Sequence, residues 1–453
     1  MTNPMVPQPP LNQQDWPLGE SLCDLVQSIE NGQLSCAELV RKCLSRIDQI
    51  EPQVHAWVMV DGAGALELAE AADARRAENR PMSLLDGIPV GVKDIIDVAG
   101  WPTVAGFKPW REKVATADAW IVSKMRQAGM IPLGKTVTTQ FASIDPPPTL
   151  NPWNLGHTPG GSSSGSCVAV ACGMVPLALG SQTGGSINRP ASFCGVSGLK
   201  LAFGQWPTQG VVPCSQSLDT LGLIVRRVKD LTLVMATLPG LLDKLVGIDL
   251  FEKGLRHNTG QALKILKLGG RFQALASLEM QAAVELAAER FREAGCVVEY
   301  DETAAFFDDD LWQIHRTIMM ADCFANHETE FAQNSVHYAP KIRGWVETGR
   351  EIPEPVYFEA QRARGAKMAE FTQKFGPYDA VLIPAAVSEA PSPETTGDPV
   401  FNAPWTLLGV PSLTVPVRLS SSGLPLGVQI VATRFGSEAL GRLLNAGMTI
   451  DGQ

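Results

Sequence analysis

The stretch GSQTGGS (180–186) places a serine, Ser186, directly behind two glycines. Bare glycine backbone lets a substrate approach the hydroxyl closely, which suits a nucleophile. A serine attacks a carbonyl readily only if another group takes its proton. The flanking histidines, His157 and His257, lie in no triad-like motif. A lysine offers another route. Lys93 ends GIPVGVK, where Ile88, Val90 and Val92 fall on one side of a strand and Pro89, Gly91 and Lys93 on the other. Buried among apolar strands, an amine loses hydration and its charged form is disfavoured. The neutral amine is then a competent base. A lysine at a strand end can equally reach solvent or pair with Asp94 or Asp97, and the local residues leave both readings open.

The elements that must position these groups follow from the hydrophobic pattern. Residues 18–80 read as helices, with Ser35 and Glu38 in capping-box spacing. From residue 86 the character turns to strand, in DGIPVGVKDIIDV (86–98), MIPLGK (130–135) and VPLALG (175–180). An amphipathic helix over 117–131 and a small-residue helix, CVAVACGM (167–174), lie between them, and 143–166 is loop. Residues 231–380 are more helical, with Met280, Val284, Ala287 and Phe291 on one helix face. Strands return at CVVEY (296–300), DAVLIPA (379–385), SLTVP (412–416) and GLPLGVQIVA (423–432). This alternation argues for an α/β fold with a largely buried sheet.

Three formal motif matches fail on context. GMIPLGKT (129–136) fits the P-loop pattern, but its middle residues carry a proline and three apolar side chains and read as strand, not as a phosphate cradle. GSSSG (161–165) fits the nucleophile elbow around Ser163, yet turn-forming residues precede it where a strand is required. SGLK (197–200) fits S-x-x-K without helical period or companion motifs, and reads as a strand edge.

Composition narrows the class further. The 453 residues are 45% hydrophobic and 19% charged, with net charge −10 and scattered basic residues. No basic footprint for nucleic acid is present, so the expectation is no nucleic-acid partner. Nine cysteines without C-x-x-C spacing read as buried thiols in a reducing compartment, with no metal site. The first 17 residues read as a flexible Pro-rich leader, not a signal peptide, and no apolar run approaches the roughly 20 residues of a membrane span. The expectation is a soluble cytoplasmic protein away from membranes.

The stretch PGGSSSGSCVAVACGMVPLALGSQTGGSINRPASFCGVSGLK (159–200) resembles the amidase signature family. The resemblance extends over nearly the whole chain, through ELVRKCLSRIDQIEPQVHAWV (38–58), DGIPVGVKD (86–94), AGMIPLGKT (128–136), YDAVLIPA (378–385), FNAPWTLLGVPSLTVP (401–416) and GLPLGVQIV (423–431). It implies one large catalytic domain over 18–453, built on a central twisted mixed sheet flanked on both faces by helices. Within it, about 231–378 forms a variable, substrate-shaping segment. It also implies a triad of nucleophile Ser186, relay Ser162 and base Lys93, with a cis bond between Gly161 and Ser162. Ser163 and Ser164 are the neighbouring alternatives for the relay. The backbone amides of Thr183, Gly184, Gly185 and Ser186 would form the oxyanion hole.

The implied activity is hydrolysis of a carboxamide through an acyl-enzyme, with ester, anilide or carbamate (urethane) cleavage open to the same chemistry and no cofactor. Two alternatives are the A subunit of a tRNA-dependent amidotransferase and a non-catalytic scaffold on the same fold. The expected partner is a small-molecule amide, ester or carbamate, and the expected state a monomer or homodimer. Many family members carry Asp at position 182 and Arg at 188, where this chain has Gln182 and Asn188, with Arg189 one residue later. Without that ion pair, neutral hydrogen bonds must brace the loop. Cys194 reads as a structural thiol. The segments near 140–155, 305–350 and 395–405 are expected to line the pocket through Phe141, Trp153, Trp312, Met319, Met320 and Trp405, and Gln182 is a further expected substrate-binding residue.

Overall fold

The computed structural model describes residues 21–238 and 262–451, so the leader and His257 lie outside the described residues. Eleven strands within them join one sheet. They are β1 (Trp57–Val60), β2 (Pro89–Lys93), β3 (Ile131–Thr136), β4 (Leu177–Gln182), β5 (Ser197–Lys200) and β6 (Thr220–Val225), then β7 (Lys264–Leu268), β8 (Val297–Asp301), β9 (Ala380–Pro384), β10 (Ser412–Leu419) and β11 (Pro425–Ala432). Their order is β1-β3-β2-β4-β6-β5-β10-β11-β9-β7-β8. Strands β3, β2 and β4 run parallel, as do β9, β7 and β8. From β4 through β6, β5, β10 and β11 to β9 every pairing is antiparallel. The chain is a single α/β domain with a mixed sheet and flanking helices.

The central strands are apolar without alternation because both faces are covered: every residue of β2, β3, β4, β5, β6, β9 and β11 is buried. Helices Ser164–Ala171 and Asn188–Cys194, both wholly buried, pack on β4 and on β5, β10 and β11 respectively. The helix Leu278–Glu293 lays Met280, Val284, Ala287 and Phe291 toward β9 and β11, on the face its periodicity predicts. The capping box forms as spaced: Ser35 Oγ accepts from Glu38 N at 3.0 Å, and the Glu38 carboxylate accepts from Ser35 N at 2.8 Å.

Three local readings change. Strand β2 stops at Lys93, because Ile95 N and Ile96 N both fold back onto the Lys93 carbonyl at 2.8 and 2.9 Å. That turn leaves Lys93 at the very end of a buried strand. The helix expected over 117–131 is shorter, Trp120–Gln127. SGLK is not at the sheet's edge but forms β5, between β6 and β10. In the rejected P-loop match, Lys135 is a buried strand residue paired with Asp94 at 3.0 Å.

Candidate active site

Lys93 is completely buried, and its amine makes no ion pair among the described residues, since Asp94 is engaged by Lys135. It meets oxygens only: Ser162 Oγ at 2.7 Å, Ser181 Oγ at 2.8 Å, Ser163 Oγ at 3.1 Å and the Ser181 carbonyl at 3.4 Å. Burial pushes its pKa down to about 7, against the opposing pull of the buried Asp219 carboxylate. The solvent-reaching and ion-paired alternatives for this lysine are therefore absent.

The three consecutive serines divide by geometry. Ser162 follows a cis peptide bond to Gly161, the only such bond among the described residues. Ser163 stands at the head of the helix Ser164–Ala171, and its hydroxyl is held by Ser181, donating to the carbonyl at 3.2 Å and accepting from N at 3.3 Å. Ser164 faces the Val137 carbonyl at 3.3 Å, away from the amine. Ser163 N donates to the Ser186 carbonyl at 3.2 Å, which brings the serine loop against the glycine loop.

Ser186 lies between β4 and the helix Asn188–Cys194 and opens onto a cavity of about 700 Å³, together with Thr183, Gly184 and Gly185. The backbone N–H groups of Gly184, Gly185 and Ser186 donate to nothing among the described residues. Gln182 does not reach the cavity. Its Oε1 accepts from Ile187 N at 2.9 Å and Asn188 N at 3.0 Å, and its Nε2 donates to Thr406 Oγ1 at 3.2 Å. Asn188 holds Thr414 Oγ1 at 3.1 Å and accepts from Ser412 Oγ at 2.9 Å. The loop is braced by neutral hydrogen bonds. Arg189 serves a different loop, because its guanidinium donates to the Gly161 carbonyl at 2.8 Å, on the peptide unit that carries Ser162.

All three expected segments reach the cavity wall, through Ala142 and Ile144, through Trp312, Met319, Met320 and Trp345, and through Pro399 and Ala403. Three of the expected aromatic residues do not. Phe141 packs into a ring cluster with Phe107, His327 and Tyr338. Trp153 is buried and donates to the Cys194 carbonyl at 2.9 Å. Trp405 is fully buried against Phe272, Phe307 and Phe371. Large rings fill core more readily than they line a wet wall. Cys194 is buried and its thiol is pushed well up by burial, so it is inert.

Sequence reasoning passed over His315, whose Nε2 lies 2.8 Å from the Thr183 carbonyl and which lines the cavity. Helical spacing held the signal, because His315 falls three residues after Trp312 and four before Met319. His157, the nearest histidine in sequence, points instead to the Ala390 carbonyl at 2.6 Å. Ser181 was also passed over; only the fold of β4 beside β2 brings it to the amine.

A buried amine among hydroxyls, beside a cavity lined by backbone amides that are unpaired among the described residues, is an arrangement chemically able to activate a serine hydroxyl without imidazole. The sequence matches the amidase family over residues 38–440, and the chain belongs to that family of enzymes acting on carbon–nitrogen bonds. It is 33% identical to the A subunit of glutamyl-tRNA(Gln) amidotransferase from Geobacter metallireducens, across 93% of this chain and 95% of that one. The corresponding subunit from a Roseiflexus species is 31% identical across 94% and 95%. Among solved structures, native peptide amidase from Stenotrophomonas maltophilia superposes with a TM-score of 0.81 at 26% identity, covering 96% of this chain and 98% of that one. A member of a vestigial complex tied to the origins of an s-triazine catabolic enzyme gives 0.84 at 28%, covering 95% and 97%.

These relatives overturn one expectation. A small-molecule substrate, no nucleic acid and a monomer or homodimer do not fit relatives that are by name subunits of an enzyme of glutamyl-tRNA(Gln). An argument from net charge reaches only this chain's own surface, and in an assembly another subunit can hold the nucleic acid. No helix among the described residues is long and apolar enough to cross a membrane.

Proposed function

We propose that this chain cleaves a carboxamide C–N bond through an acyl-enzyme on Ser186. Neutral Lys93 accepts the Ser162 proton as Ser162 accepts the Ser186 proton, and Ser186 Oγ bonds to the carbonyl carbon. Charge on the carbonyl oxygen is met by the amides of residues 183–186. Ser162 returns a proton to the departing amine as the C–N bond breaks, and water attacks the ester by the same relay. The observation that carries this reading is the fully buried Lys93 amine, lacking any ion-pair partner among the described residues and set 2.7 Å from Ser162 Oγ. Esters, anilides and carbamates pass through the same tetrahedral geometry and fall within reach of the same groups. Residues 231–378 act as the substrate-shaping segment, since Trp312, Met319, Met320 and Trp345 within it wall the cavity.

The relatives' names support an A-type subunit role, in which the nitrogen released here is passed on within an assembly that handles glutamyl-tRNA(Gln). The apolar cavity wall favours a second reading, an amidase for an amide bearing an apolar group. Ammonia release from glutamine and from apolar amides, measured on the chain alone and with its copurifying proteins, separates the two. Glutamine turnover only in complex supports the first reading; turnover of apolar amides by the lone chain supports the second. In either, Ser186→Ala abolishes turnover and Ser163→Ala leaves it within about tenfold of wild type; a dead Ser163→Ala beside a working Ser186→Ala contradicts the mechanism.

A further inference from the structure

The carbonyls of the loop that ends in Ser186 are tied down one by one. The Gly185 carbonyl accepts from Arg189 N at 3.0 Å, the Gly184 carbonyl from Thr406 Oγ1 at 3.2 Å and the Thr183 carbonyl from His315 Nε2 at 2.8 Å. A trans peptide unit is flat, with its C=O and the following N–H pointing opposite ways, so anchoring one aims the other. The three anchors therefore aim the N–H groups of Ser186, Gly185 and Gly184, the same three that donate to nothing among the described residues. Arg189 and Thr406 belong to the short helices Asn188–Cys194 and Ala403–Leu407. His315 alone comes from the long helix Asp309–Asn334, which also carries Trp312 and Met319 on the cavity wall.

A carbonyl oxygen has no proton to give, so Nε2 is the protonated nitrogen of the ring. Burial pushes the His315 pKa down to about 4, which keeps the ring neutral and this tautomer fixed through the neutral pH range.

We infer that His315 is a positioning residue that aims the Gly184 amide at the oxygen developing charge, and so joins the substrate-shaping helix to the oxyanion hole. The inference rests on the reading of Ser186 as nucleophile. It assigns His315 no proton transfer and no direct bond to the reacting atoms.

Labelling by a fluorophosphonate tests it, because the phosphoryl oxygen occupies the oxyanion position when Ser186 attacks. The saturating rate and the half-saturating concentration are measured for the full chain, Ser186→Ala, His315→Leu and His315→Gln. The Gln variant keeps an N–H donor at the reach of Nε2. We expect His315→Leu to lose about 10²–10³-fold in saturating rate, the range for one missing oxyanion donor, with half-saturation changed less than about threefold. His315→Gln should recover to within about tenfold of wild type. Should the Leu variant not fold, His315→Ala with and without added imidazole replaces it: recovery supports the inference and no recovery overturns it. A wild-type rate in His315→Leu overturns it, as does a change confined to half-saturation. Equal impairment of Leu and Gln variants with lowered melting temperatures also overturns it, since that marks a packing role. If wild type is unlabelled or Ser186→Ala is labelled, the underlying reading fails instead.

Discussion

Four oxygens surround the Lys93 amine, and their arrangement limits how it can work. A neutral amine offers two N–H donors and one lone pair. The Ser181 and Ser163 hydroxyls, at 2.8 and 3.1 Å, can take the two donors, which leaves the lone pair for the Ser162 proton at 2.7 Å. The amine is charged below its pKa of about 7 and cannot then accept. Turnover should therefore fall as pH drops below about 7 and level off above it, and a pH–rate profile from 5 to 10 checks this. Lys93→Ala should lose activity across that range. A midpoint that moves when His157 is replaced would contradict the assignment. The bare glycine neighbours of Ser186 and the apolar strand that carries Lys93 were legible in the sequence, but the strand alone left the lysine's surroundings open until the fold placed it among buried hydroxyls. The relay was singled out only by the family resemblance: three adjacent serines look alike in sequence, and in the fold Ser164 turns to the Val137 carbonyl while Ser163 stays within 3.1 Å of the amine.

At the scale of elements, the glycine loop is held by the backbone N–H of Arg189 and by the side chains of Thr406 and His315. A Cβ at Gly185 would meet Asn402 Oδ1 at 2.5 Å and Arg189 Nη1 at 2.7 Å, both buried. Gly185→Ala must displace one of these or turn its own amide, so turnover should drop about 10²-fold or more, the cost of a misaimed oxyanion donor. The melting temperature should change little, and steady-state kinetics beside a thermal melt checks both. Strands were the legible elements because buried runs of Val, Ile and Leu with Gly and Pro punctuation have few other uses. A Cβ at Gly198 would lie 2.8 Å from Ala191 Cβ, so that glycine lets the helix Asn188–Cys194 pack closely on β5.

Across the whole molecule, hydrophobic residues divide between core and cavity in a way that one-dimensional spacing does not show. Trp312 and Trp405 look alike in sequence, but Trp405 joins Phe272, Phe307 and Phe371 in the core while Trp312 faces the cavity. Trp405→Ala should destabilise the fold by about 3–5 kcal/mol, read as a lowered denaturant midpoint, with KM nearly unchanged in the folded fraction. The resemblance carried the A-subunit reading as an alternative, while charge argued against nucleic acid, because surface charge records what one chain binds and not what its neighbours do. The buried centre of the sheet was legible because covering both faces of a sheet demands uniform apolar strands, whereas its mixed strand directions came only with the family resemblance.

The account depends on covalent attachment at Ser186, and rapid-quench peptide mass spectrometry during amide turnover measures that directly. It predicts the acyl mass on the peptide containing Ser186 and its loss in Ser186→Ala. An adduct on Ser162, Ser163 or Cys194, or turnover with no adduct at any residue, would contradict it.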